Sequence, residues 1–215
     1  MISSTHYVKA ISCEVFPVLF SPQLETDRLV LQRFCRENID ARHLYALETE
    51  EKRTTGVYEH VPQSPCVTIK DAYDALDRIE TRWEEGEGAR HIVRLDSSED
   101  ETGEFVGIAD LHCEWDRRTG YLGFILHRPF WGCGYAGECA EILLTLAFDR
   151  LDLDLIALQH QDRNDRSRRT VERIVDRFGG QYDCLLRNWT PMDDHIADEH
   201  RYTISCEQYQ EVTNG

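Results

Sequence analysis

The chain has 215 residues, enough for one large domain, and an apolar fraction of 41% with 10% aromatics supplies a core and excludes wholesale disorder. Forty acidic residues against 24 basic ones leave a net charge of −16, and only Lys9, Lys52 and Lys70 are lysines. A surface this acidic excludes general nucleic-acid binding, which needs a positive face to neutralise phosphate. It suits a cationic acceptor or a salt-rich, halophilic cytoplasm, and the even spread of acid along the chain favours the second.

Residues 1–23 show no period and close on the turn signal Ser21-Pro22, so they read as an N-terminal extension to a domain spanning 24–210. No basic segment leads into a continuous apolar run and no run reaches the ~20 residues of a membrane helix. The expectation is a cytoplasmic protein with no membrane partner. Leu29 to Phe34 reads as a strand, and Asn38 as the cap of a short helix carrying Ile39, Leu44 and Leu47. Thr68 caps a clearer helix, with Ile69, Tyr73, Leu76, Ile79 and Trp83 at helical spacing, stopped by Gly86 and Gly88. Three strands follow, His91 to Leu95, Phe105 to Leu111 and Tyr121 to Leu126, joined by polar loops (an acidic turn over 97–103, then Asp116 to Arg118) as antiparallel neighbours would be.

Beyond Pro129 the pattern changes. Trp131-Gly132-Cys133-Gly134-Tyr135-Ala136-Gly137-Glu138 opens a helix whose apolar face runs to Phe148. Leu153 to Leu158 reads as a buried strand, and Asn164 opens a helix carrying Val171, Ile174, Val175 and Phe178. Gly179-Gly180 breaks it, and strands near Gln181 to Arg187 and Arg201 to Cys206 finish an order that describes one mixed α/β sheet domain. The eight cysteines contain no C-x-x-C pair, and reduced, mostly buried thiols are the default. His195 and His200 are five residues apart, which fits no common metal-ligand pattern, so no metal is expected.

The glycine turn carries the chemistry. A glycine-rich turn at a helix start aims unpaired N–H groups and the positive end of the helix dipole at one point, a good receptor for pyrophosphate. Glycine lets phosphate approach the backbone, although a tight turn before a helix has the same spelling. A Walker loop would need a lysine here, and the third glycine of a dinucleotide fingerprint falls one residue early, at Gly137.

The run Trp131 to Glu138 resembles the acetyl-CoA pyrophosphate loop of the GNAT N-acetyltransferases, with the RimJ/RimL type, ribosomal-protein N-terminal acetyltransferases, the nearest branch. Leu24-Glu25-Thr26-Asp27-Arg28-Leu29 resembles that branch's opening motif, Phe105 to Ile108 its central strand, Leu122 to Leu126 the strand before the loop, and Asn164-Asp165-Arg166-Ser167 its N-x-x-S. Cys133 replaces a usual basic residue and Gly137 a usual threonine. The resemblance implies a single α/β domain with a mixed, strongly twisted sheet flanked by helices, acetyl-CoA as acyl donor, and direct transfer to an amine acceptor, either a protein N-terminus or a small molecule. It implies that the amides of Gly132, Cys133, Gly134, Tyr135 and Ala136, with Gly137 beside them, cradle the pyrophosphate. Backbone groups of Ile125 and Leu126 would pair with the pantetheine arm, Asn164 would bond that arm, and Ser167 would lie near the leaving sulfur. Asn164 reads equally as a helix cap and Ser167 as a first-turn serine.

An amine acceptor arrives mostly protonated and needs a base. Where many relatives carry a glutamate, this chain has Tyr121; Asp110, His112 and Glu114 are the other candidates, with Glu114 preferred because a carboxylate serves both cation binding and proton removal. Cys133 at a helix start raises an acyl-cysteine route, which lacks a histidine nearby in sequence. Arg166, Arg168 and Arg169 could meet a 3′-phosphate or line an exposed helix face. The alternative to an enzyme is an acyl-CoA-binding module without turnover, which the tyrosine at 121 would favour. The acceptor, and whether the chain forms a homodimer, are not readable.

Overall fold

A computed structural model describes residues 18–54, 56–62, 66–96, 103–192 and 194–214, with the side chains of 50–54 left aside; most of the expected acidic turn lies outside them. Eight strands form one sheet in the order β1-β2-β3-β4-β5-β6-β8-β7. They are β1 Gln23–Glu25, β2 Leu29–Arg33, β3 Gly88–Leu95, β4 Phe105–Glu114, β5 Thr119–Leu126, β6 Leu155–Gln161, β7 Gln181–Pro191 and β8 Ile196–Ser205. Every neighbouring pair is antiparallel except β5 and β6. The connection between those two is long enough to hold a helix, as a parallel pair requires.

Helices cover both faces. On one, α3 (Tyr135–Thr145), α4 (Asp165–Arg177) and α5 (Cys206–Asn214) bury Leu143, Leu144, Val171, Ile174 and Tyr209 against Leu31, Val93, Leu111 and Ile156 of the sheet. Each such side chain contributes roughly 1.5–3 kcal/mol on leaving water. On the other, α1 (Ala41–Thr54) and α2 (Ile69–Glu84) build a smaller cluster from Leu44, Ala72, Leu76 and Ile79 over Ile92 and Ile108.

The local signals mostly hold. Thr68 and Asp71 form a reciprocal capping box at the start of α2, and the chain reverses at Gly86 with φ 76°. Gly88 does not stop the helix but opens β3. The first helix is capped by Asp40, not Asn38: the Asp40 carboxylate accepts from the N–H groups of Arg42 and His43, each at 2.8 Å. Asn38 instead donates its side-chain amide to the Arg33 carbonyl at 2.8 Å, in the turn that precedes Ile39. Strand β6 begins at Leu155 rather than Leu153, and the last turn after α3 widens, with Leu151 N–H donating five residues back to Leu146.

Phe20 is fully buried with its ring 5.4 Å from Trp83, β1 pairs with β2, and α5 extends to Asn214. Among the seven described cysteines only Cys35, Cys113 and Cys139 are buried, while Cys133 and Cys184 are exposed, so "mostly buried" overstates their position.

Candidate active site

Strand β5 decides the site. Its parallel pairing with β6 covers Thr119 to Leu122 against Leu155 to Leu158 and then stops. Both strands continue, β5 to Leu126 still paired with β4 and β6 to Gln161 still paired with β8. Between them a cleft opens whose walls are strand edges with N–H and C=O groups left over. One expectation shifts here. A Cβ added at Gly107 of β4 would come within 2.2 Å of the Ile125 carbonyl oxygen, so Ile125 turns its backbone toward β4. By alternation, Phe124 and Leu126 face the cleft instead. The Leu126 carbonyl already accepts the Trp131 indole N–H at 2.6 Å.

The glycine turn stands at the open end of β5. Gly132 and Gly134 have φ of 81° and 85°, left-handed values that glycine reaches without strain, and added Cβ atoms would meet nothing within 4 Å at Gly132 and only Arg28 at Gly134. Gly134 occupies the N-cap of α3 without a capping side chain. As the first two helical residues, Tyr135 and Ala136 have N–H groups with no partner inside the helix, and residues 132–134 are exposed. A second block of sequence fixes this turn. The Glu138 carboxylate accepts from the Arg28 N–H at 3.0 Å and Arg28 Nε at 2.8 Å, and from the Thr26 hydroxyl; Arg28 also donates to the Cys133 carbonyl at 3.2 Å. Arg166 of α4 lies 3.5 Å over the Trp131 ring, so this arginine braces the loop rather than lining a bare helix face. Arg168 pairs with Asp165 at 3.2 Å.

The remaining candidates scatter. Asn164 caps α4, its side-chain oxygen accepting the Ser167 N–H at 3.1 Å, a bond that involves neither the Asn164 amide nitrogen nor the Ser167 hydroxyl. Tyr121 stands at the last stretch of β5 before the cleft, beside His112 (ring centroids 6.3 Å) and Arg201 (5.8 Å from its ring). Glu114 does not come near. It lies opposite Thr119, at the closed end of β5, and pairs with Arg117 at 3.0 Å. Four residues of strand, roughly 13 Å, separate that position from Gly123, where the cleft opens. Asp110 is engaged as well, bonded by both Arg82 and Arg90. Burial works to raise its pKa, but the two guanidiniums outweigh it and hold the carboxyl below its ordinary value, unsuited to taking a proton. Cys133 has no hydrogen bond to its sulfur among the described residues. His195 pairs with Asp194 at 2.6 Å while His200 stacks on His160 at 4.9 Å, so the two histidines are separately engaged.

Several residues at the site gave no sequence signal. Gln159 and Gln161 form the β6 wall of the cleft, and the Gln159 side-chain nitrogen is buried without a partner. Gln161 meets His60 at 3.2 Å and donates to Met192 at 2.9 Å, drawing the α1–α2 connection and the β7–β8 turn over the cleft's end. Opposite it in register stands Glu199, buried and accepting the Thr190 hydroxyl at 2.5 Å. On the same side of the sheet a cavity of about 480 Å³ lies beneath α1 and α2 and reaches Ile108 and Ile125. The one available clue was charge in a buried strand: Arg90 alternates with Ala89 and His91 in β3.

The family profile described as "Acetyltransferase (GNAT) domain" matches residues 28–174. The chain belongs to the GNAT acetyltransferases. Among curated relatives, the uncharacterized N-acetyltransferase p20 of Bacillus licheniformis is 22% identical over 187 residues, covering 86% of this chain and 97% of that protein. The Bacillus subtilis protein YoaA, also an uncharacterized N-acetyltransferase, is 25% identical over 182 residues, covering 81% and 94%. The GNAT fold itself recurs in solved structures. The microcin C7 self-immunity acetyltransferase MccE, in complex with acetyl-CoA and AMP, superposes with a TM-score of 0.73 at 15% identity, over 87% of this chain and 98% of its own. Mycobacterium smegmatis RimJ, in complex with CoA-disulfide, gives 0.68 at 17% identity, over 84% and 83%. Among the described residues, no helix of this GNAT domain is long and apolar enough to cross a membrane.

Proposed function

We propose that the protein transfers the acetyl group of acetyl-CoA directly to a primary amine, on a protein N-terminus or a small molecule, as a GNAT enzyme of the RimJ/RimL type. The observation that carries this reading is the parting of β5 from β6 beside a left-handed glycine turn at the start of α3. Together they offer an extended backbone edge for an amide-bearing arm and a cradle of free N–H groups for a diphosphate. The unpartnered Gln159 amide beside the cleft adds a donor for a polar group placed there. The protein's part is positioning: a donor held along the cleft and an amine brought from the α1/α2 side convert a two-body encounter into a local one. Tyr121 stands in the last paired stretch of β5 with His112 beside it, and this pair would exchange protons with the acceptor amine and the leaving thiolate, directly or through water.

Isothermal titration with acetyl-CoA, at raised salt to suit the acidic surface, tests the reading beside Gly134→Glu. Binding that the variant loses supports the donor cradle; absence of binding in folded protein overturns it. Tyr121 in place of a carboxylate favours a second reading, a donor-binding protein without turnover. Release of free coenzyme A thiol on a panel of amines separates the two.

A further inference from the structure

We propose that the cavity beneath α1 and α2 binds a carboxylate of the acceptor, so that the molecule acetylated is a small amino-acid-like compound carrying both an amine and an acid. The inference rests on the acetyl-transfer reading and specifies its substrate class. At about 480 Å³ the cavity has the size of a small-molecule site, and its apolar wall of Phe34, Leu44 and Ile108 would accept a hydrocarbon side chain. It borders β5 through Ile125, and the donor cleft runs along that strand's other edge.

Its polar lining is unevenly satisfied. The two carboxylates of the wall are already in use: Glu48 accepts the Cys66 N–H at 2.7 Å, and Asp71 accepts the N–H groups of Thr68 at 2.8 Å and Val67 at 3.1 Å. The arginines are not. Arg82 and Arg90 give three bonds to Asp110, whereas two guanidiniums carry about ten N–H donors, and Nε of each is buried without a partner. Arg78, one turn before Arg82 on α2, lines the same cavity and forms no ion pair among the described residues. Three arginines thus gather on one small cavity of a protein whose net charge is −16. Guanidinium donors match a carboxylate in geometry and charge, and the apolar wall beside them suits the hydrocarbon part of an amino acid. Glu48, Asp71 and Asp110 balance the arginines formally, so the site is selective through donors left open rather than through net charge.

The test separates binding from turnover by using product-like probes. N-acetyl-L-leucine, N-acetyl-L-methionine and N-acetyl-L-phenylalanine are titrated in the presence of coenzyme A, each beside its neutral amide. The expected result is that at least one acid binds about tenfold tighter than its amide, the effect of one charge-assisted hydrogen bond, and that Arg78→Gln removes the preference. Equal affinities, tighter binding of the amides, no binding of any probe, or a preference that survives Arg78→Gln overturns the proposal. The acetyl-CoA titration is scored separately, so a failed carboxylate site leaves the donor site standing, and a failed donor site is seen on its own.

Discussion

On the side of α3, α4 and α5 the sheet is closed by fully buried leucines and isoleucines, while on the side of α1 and α2 a smaller core stops at a cavity edged with arginines. The first side holds the glycine turn in place; under the proposed function the second would meet the acceptor. The difference is one of purpose within a single sheet. Dense packing makes a rigid seat for a molecule of fixed shape, and open polar packing sacrifices stability for selectivity.

The largest effect should come where the two sides share a backbone. Gly107 (φ 154°) lies in the irregular stretch of β4 that lets the strand sit against the open end of β5. Gly107→Val should cost more than about 4 kcal/mol in chemical denaturation, because its Cβ would strike the Ile125 carbonyl. A milder loss would mean that β4 can move away from the cleft.

Next, Leu143→Ala and Leu44→Ala compare the two cores directly. Both residues are essentially inaccessible, at 0% and 2%. Leu143→Ala should cost about 3–5 kcal/mol and Leu44→Ala, which borders space already present, nearer 2 kcal/mol. Equal losses would show that the cavity collapses in solution.

Titration gives a third probe. His91 is buried against Trp83 with one ring nitrogen 3.0 Å from the Ser21 carbonyl and the other unpartnered. Burial pushes its pKa down to about 4, against the opposing pull of Ser21 and Asp110. The unfolded chain then takes up the proton first. The stabilisation is complete above the ordinary value of about 6.5 and is lost as pH falls toward 4, a change of about 3 kcal/mol. In His91→Leu that slope should vanish from the pH dependence of unfolding.

The smallest effect is a gain. Gly137 lies in the first turn of α3 with nothing within 4 Å of an added Cβ. Gly137→Ala should stabilise by up to about 1 kcal/mol in thermal or urea unfolding, and a loss would show that the turn needs its freedom.

The unequal legibility of the two sides follows from the same contrast. Gly132, Gly134 and Glu138 lie within seven residues, and Thr68 and Asp71 within four, so local chemistry spells them out. Nothing local distinguishes Asn38 from Asp40 as a cap, since either side chain can accept an N–H and only the backbone path decides. The arginine lining needs Arg78 and Arg82 from α2 to meet Arg90 from β3 across a turn, and the Gln161–Glu199 pair needs β6 beside β8. Such partners exist only once the sheet order is known. Glu114 makes the same point: its residue type suits the chemistry, but only register reveals that it lies opposite Thr119, at the end of β5 away from the cleft.

The clasp of Thr26 and Arg28 on Glu138 also sets a timetable. Its two halves are about 110 residues apart in the chain. On a ribosome the second half emerges on the order of ten seconds after the first. Until then β2 has no anchor for the glycine turn, and the turn has no fixed shape to offer a ligand. The clasp thus closes only after more than half of this chain is made, with β6 through α5 still to follow, and a fixed glycine turn would mark the midpoint of folding during synthesis rather than its start.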